Sequence, residues 1–138
     1  MRYNPSTNLY DKPCSMVALD TAYRDIYNEF IAIDEIVKTR TDGYLALSKM
    51  QIYVKLLFRV KKMIQYTKKN RFTLKEFLKN NDKKCIICLL GHYIYVDGKD
   101  YYSFFPNLDD EIVKIWYVEA IKEWVKKDYN VIEVVWGA

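Results

Sequence analysis

The chain reads as an α+β domain. Helical periodicity dominates its first half, short apolar and aromatic runs follow residue 84, and an Asp-Gly pair separates two of those runs. Its 138 residues are 51% hydrophobic and include thirteen Tyr, six Phe and three Trp, enough bulk for a core. No repeat or composition break divides the chain, so residues 1–138 are expected to form a single domain. Four Gly and three Pro in all exclude the low-complexity and fibrous classes.

The first helix is predicted over residues 14–33. Met16, Leu19, Tyr23, Ile26 and Phe30 recur at three-four spacing behind Pro13, and the helix should be central. After a polar break at residues 39–43, Leu47, Met50, Val54 and Leu57 mark a second helix, expected to be buried on two sides. Thr73 caps a short third helix over residues 74–79, with Glu76 placed as in a capping box. Cys85-Ile-Ile-Cys-Leu-Leu90 is too short for a helix and reads as a buried strand. Residues 92–96 and 99–104 form a hairpin over Asp97-Gly98, ended by Pro106 and Asn107. From Asp109 the apolar spacing suits a capped helix, although residues 111–117 also read as a strand; a last strand is predicted over residues 131–136.

Charge and cysteine usage narrow the function. The opening residues lack the apolar stretch and cleavage site of a signal peptide. No run of eighteen uncharged apolar residues follows, so a cytoplasmic location without membrane contact is expected. Three cysteines, Cys14, Cys85 and Cys88, cannot all pair and are read as thiols. Cys85-x-x-Cys88 is half of a zinc pattern, and on a strand its side chains point to opposite faces, so no metal is expected there. Asp109, Asp110 and Glu111 make an ordinary helix N-terminus in preference to a cation site. The four glycines are scattered, without a phosphate-binding loop. Neither metal nor organic cofactor is required by the chemistry proposed next.

Cys14 follows Pro13 at the expected head of the first helix, where free main-chain N–H groups and the helix dipole favour a thiolate. His92 is the only histidine. A cysteine nucleophile needs such a base, together with an oxyanion donor and a group that orients the imidazole. The Asn8 amide and the Cys14 N–H are candidates for the oxyanion. With Asp97-Gly98 as the turn, Ser103 lies opposite His92 as the orienting group; a register slip would put Tyr101 or Asn107 there.

The order of these parts resembles the small papain-like cysteine peptidases of bacteriophages and bacteria. The shared features are a Cys at the head of the first helix, the Thr-Leu-Lys-Glu-Phe-Leu helix and a hydrophobic strand. They continue with Gly-His, a hairpin over Asp-Gly and Tyr-x-Ser-aromatic. The resemblance covers roughly residues 8 to 105. It implies a papain-like core, an N-terminal helix carrying Cys packed on a small antiparallel sheet. In it Cys14 attacks an acyl carbon of a peptide or amide substrate, His92 exchanges protons and Asn8 steadies the oxyanion. A phage-encoded enzyme would work in the host cytoplasm. Two features depart from the pattern. Tyr101 is followed by Tyr102 and Ser103 rather than by a carboxylate, and no basic residue follows Cys14.

The rival class is a non-catalytic protein: a degenerate papain fold, or an unrelated viral factor that binds a host protein or nucleic acid, or one with a structural role. Net charge is +4, but residues 59–84 hold ten Lys and Arg against two acids. Lys61, Lys62, Lys68, Lys69 and Arg71, interleaved with Phe58, Tyr66, Phe72 and Phe77, are the candidates for phosphate contact and base stacking. A solvated lysine-rich face is the simpler reading of the same run.

Overall fold

The computed structural model describes residues 13–29, 46–103 and 107–121. Asn8 and the strand expected over residues 131–136 lie outside them. The architecture is α+β, with three helices and a five-stranded antiparallel sheet among the described residues. Helix α1 (Cys14–Tyr27) and helix α2 (Leu47–Leu57) precede strand β1 (Arg59–Gln65) and helix α3 (Leu74–Asn80). Strands β2 (Lys84–Leu89), β3 (His92–Asp97), β4 (Asp100–Tyr102) and β5 (Ile112–Glu119) follow, and the sheet order is β1-β5-β2-β3-β4.

Helix α1 is central, as its periodicity predicts: every residue from Ser15 to Tyr23 is buried. It stops at Tyr27, short of the expected end, because Asn28 turns left-handed at φ 54° and its N–H closes on the Arg24 carbonyl. Helix α2 buries one stripe, Met50, Tyr53, Val54 and Leu57, while Ile52 is exposed. Two-sided burial is not found: this one stripe packs against α1 and the sheet, and the rest of the helix is exposed or only partly buried. Helix α3 begins as predicted, with the Glu76 N–H donating to Thr73 Oγ1 at 3.2 Å.

The sheet separates two apolar clusters. Trp116, Ile86, Cys88, Tyr93, Tyr95 and Tyr102 pack with α1 and α2; Cys85, Ile87, Leu89, Ile94, Val96 and Ile115 pack on the other side with Leu74 of α3. Cys85 and Cys88 thus face opposite clusters as free buried thiols, as a strand demands. The segment after Asp109 is a strand and not a helix. β5 lies between β1 and β2 and covers both faces, so its apolar residues carry no alternation. Asp109 and Asp110 sit in the turn before it rather than at a helix head.

The β3–β4 hairpin turns over Gly98-Lys99, not Asp97-Gly98, since Asp97 pairs with Asp100. Gly98 takes φ 63° at the first central position, a conformation that favours glycine. The β2–β3 turn over Leu90-Gly91 needs the same freedom at its second position, where Gly91 has φ 77°. Both outer strands, β1 and β4, pair on one side only among the described residues.

Candidate active site

Helix α1 begins directly on the sheet. Pro13 fixes the entry, and its carbonyl accepts from the Met16 and Val17 N–H groups at 3.0 and 3.2 Å. That pattern leaves the Cys14 and Ser15 N–H groups outside the helical ladder, at the positive end of its dipole. The first helical side chain is half-buried Cys14, and its Sγ accepts the Tyr93 N–H at 3.4 Å. This contact joins residues 79 positions apart and fixes the thiol beside the first residues of β3. It lies beyond the last described pair of β3 with β4, Tyr95 with Tyr102, so sulfur takes up a strand donor that the hairpin ladder does not reach.

His92 opens β3, opposite Leu89. By strand alternation it shares the side of Ile94 and Val96, while its neighbour Tyr93 faces α1. Its Nε2 hydrogen-bonds Ser103 Oγ at 2.5 Å. The expected partner is therefore correct although the expected register is not. Moving the turn by one residue changes the pairing by two places, which preserves the face and leaves Ser103 on a diagonal from His92. Cys14 Sγ therefore touches the main chain of the residue next to His92, while the His92 side chain lies on the other side of the strand.

Burial governs the ionisation of both groups. The Cys14 thiol is pushed above its usual 9.0 by desolvation, against the opposing hydrogen bonds of the Tyr93, Ser15 and Cys14 N–H groups. The thiolate expected from the helix head is thus not the favoured resting form. His92 is pulled below its usual 6.5 by desolvation, with the Asp110 carboxylate opposing. The site rests as neutral thiol and neutral imidazole. Asp110 is a carboxylate neighbour of His92 that the sequence did not reveal. Its signal was hidden because Asp109-Asp110-Glu111 reads as a helix start, whereas the turn before β5 carries it to the same sheet side as α3, where its carbonyl accepts the Leu74 N–H at 3.0 Å.

The basic candidates divide. Lys61 and Lys62 join Tyr66, Phe72 and Phe77 around one cavity of about 580 Å³. Lys68 and Lys69 lie exposed in the turn after β1, and Arg71 is half-buried beside it; none of the three lines that cavity. Phe58 cannot stack on a ligand, because it is 1% exposed and packs on Tyr27 in the core. No group of three or more metal-ligating side chains occurs among the described residues, and no described helix is long and apolar enough to cross a membrane.

No protein-family model matches the chain, and neither a curated protein nor a solved structure gives a match.

Proposed function

We propose that the chain is a cysteine hydrolase of papain-like type, a peptidase or amidase in which Cys14 is the nucleophile and His92 the general base. The observation that carries this reading is the 3.4 Å contact between Cys14 Sγ and the main chain next to His92. Ser103 holds Nε2, so Nδ1 is the nitrogen that takes the thiol proton as Sγ bonds to the substrate carbonyl carbon. The resulting oxyanion is met by the Cys14 N–H at the helix head. Collapse of the tetrahedral species breaks the carbon–nitrogen bond, the imidazolium returns its proton to the leaving amine, and water then hydrolyses the thioester by the same base. Because the resting pair is neutral, the proton moves during attack, and Asp110 offsets part of the charge that then develops on His92.

Labelling with iodoacetamide, read by peptide mass spectrometry, tests the pairing. Cys14 is expected to react at least about tenfold faster than buried Cys85 and Cys88, with a rate that climbs past pH 9 and drops in His92→Ala. Equal, slow labelling of all three thiols would remove the hydrolase. Selective labelling of Cys14 that ignores His92 would favour the second reading, a papain-like fold whose catalysis has lapsed; the absence of a carboxylate hydrogen-bonded to His92 among the described residues supports that rival.

A further inference from the structure

A cavity-bearing region lies at the far end of the sheet from Cys14 and His92. It borders the beginning of β2, whereas His92 pairs with the last residue of that strand, so it is separated from Cys14 and His92 by about the length of β2. Its walls are aromatic. Tyr66 and Phe72 meet edge-on with ring centres 4.9 Å apart, Phe77 stands 6.3 Å from Phe72, and Tyr117 of β5 closes the opposite side. All four are only partly buried. Partial burial raises both tyrosine hydroxyls above the usual 10.0, so the rings are partly withdrawn from water.

One rim is cationic. Lys61 and Lys83 line this cavity and also an adjoining one of about 360 Å³, forming a positive saddle between the two. Carboxylates border the same region, Glu76 and Asp82 at the first cavity and Glu119 at the second; Lys61 Nζ pairs loosely with Glu119 at 3.7 Å and Lys83 Nζ with Asp82 at 3.9 Å, the latter side chain 83% exposed. Such pairs contribute little and can yield to a better anion. A merely solvated lysine face would not need aromatic walls at its foot. The Asn80 side chain at the border adds both a donor and an acceptor.

We infer that this recess binds a nucleotide, with the base against Tyr66, Phe72 and Tyr117 and the phosphate on the Lys61–Lys83 saddle. The volume suits one base and its sugar. Flat rings accept any base by stacking, and two flexible ammonium groups accept a phosphate without fixing its geometry, so broad base tolerance is expected. The ligand is either a free mononucleotide or one unit of a single strand, whose next phosphate would run into the adjoining cavity. This site does not depend on the Cys14–His92 chemistry.

The test is a titration of the isotopically labelled full chain by NMR, with uridine monophosphate and, separately, a single-stranded oligothymidylate of about ten nucleotides. Both are expected to shift the amide signals of Tyr66, Phe77 and Tyr117, and Lys61→Ala/Lys83→Ala is expected to weaken both at least about fivefold. Tyr66→Leu, which keeps an apolar wall, should weaken binding by a similar factor while leaving the salt dependence unchanged. A strand that binds more than about fivefold tighter than the mononucleotide identifies single-stranded nucleic acid as the source; equal affinities identify the free nucleotide. Absence of shifts at these residues, or binding indifferent to the double substitution, overturns the proposal.

Discussion

The two faces of the sheet are finished to different degrees. Under α1 and α2, the aromatic residues Tyr23, Phe58, Tyr93, Tyr95 and Trp116 are all 1% exposed or less. On the opposite face Tyr66, Phe72, Phe77, Tyr101 and Tyr117 are each only partly buried. The cause is the length of the cover. Among the described residues, helices of 14 and 11 residues lie on the first face, and the second has α3, with 7 residues, plus the chain leading into it. The first face is therefore fixed by packing, while the second retains surface that a ligand can use.

Substitutions on each face can break this contrast. Trp116→Ala on the closed face should cost about 3–5 kcal/mol in urea unfolding, because nothing there can collapse into the space. Leu74→Ala is fully buried on the open face and should cost less, roughly 2–3 kcal/mol, since neighbours can relax towards the cavity. Equal losses from the two would mean that the faces are equally tight. Tyr95→Phe should cost roughly 1–2 kcal/mol, as the hydroxyl donates to Asp25 Oδ2 at 2.6 Å in a cluster shared with Lys84. Thr73→Ala should cost about 1 kcal/mol through loss of the α3 cap and should leave the closed face unchanged by near-UV circular dichroism.

The smallest effect is the dependence of melting temperature on pH. His92 is lowered in the folded state, so its contribution is complete above the unfolded value of 6.5 and is lost as pH falls through the folded one. Cys14 is raised, so its contribution is complete below 9.0 and is lost above that. His92→Gln should flatten only the acid limb, and Cys14→Ser only the alkaline limb; a limb unchanged by its substitution would assign the titration elsewhere.

What could be read in advance follows the same division. The head of α1, the Thr73 cap, the apolar run of β2 and the existence of the hairpin each carry a local signal that tertiary contacts reinforce. β1 was hidden because a register shift between Val60 and Lys62 destroys its alternation, and because most of its side chains are exposed. β5 was ambiguous because a strand buried on both faces looks like a helix segment. Among the candidate residues, the place of Cys14 at a helix head and the contact of His92 with Ser103 were legible from a cap and a hairpin. The neutral resting pair was not, since desolvation depends on packing that spacing does not encode. Asp110 escaped for a simpler reason: it lies in the turn before β5, a segment whose spacing suited a helix as well as a strand.

The outer strand β1 has a further consequence. Arg59, Lys61 and Lys62 place cationic side chains along a strand that pairs on one side only among the described residues, and such a row keeps a second molecule from adding its own strand there. Both lysines also border the aromatic recess, and Lys61 is half of the proposed phosphate saddle, so stripping them removes a guard against fibrous self-association and weakens the hold on phosphate. A variant lacking both would thus turn cloudy or sediment for reasons unconnected with its ligand, and light scattering separates the two losses.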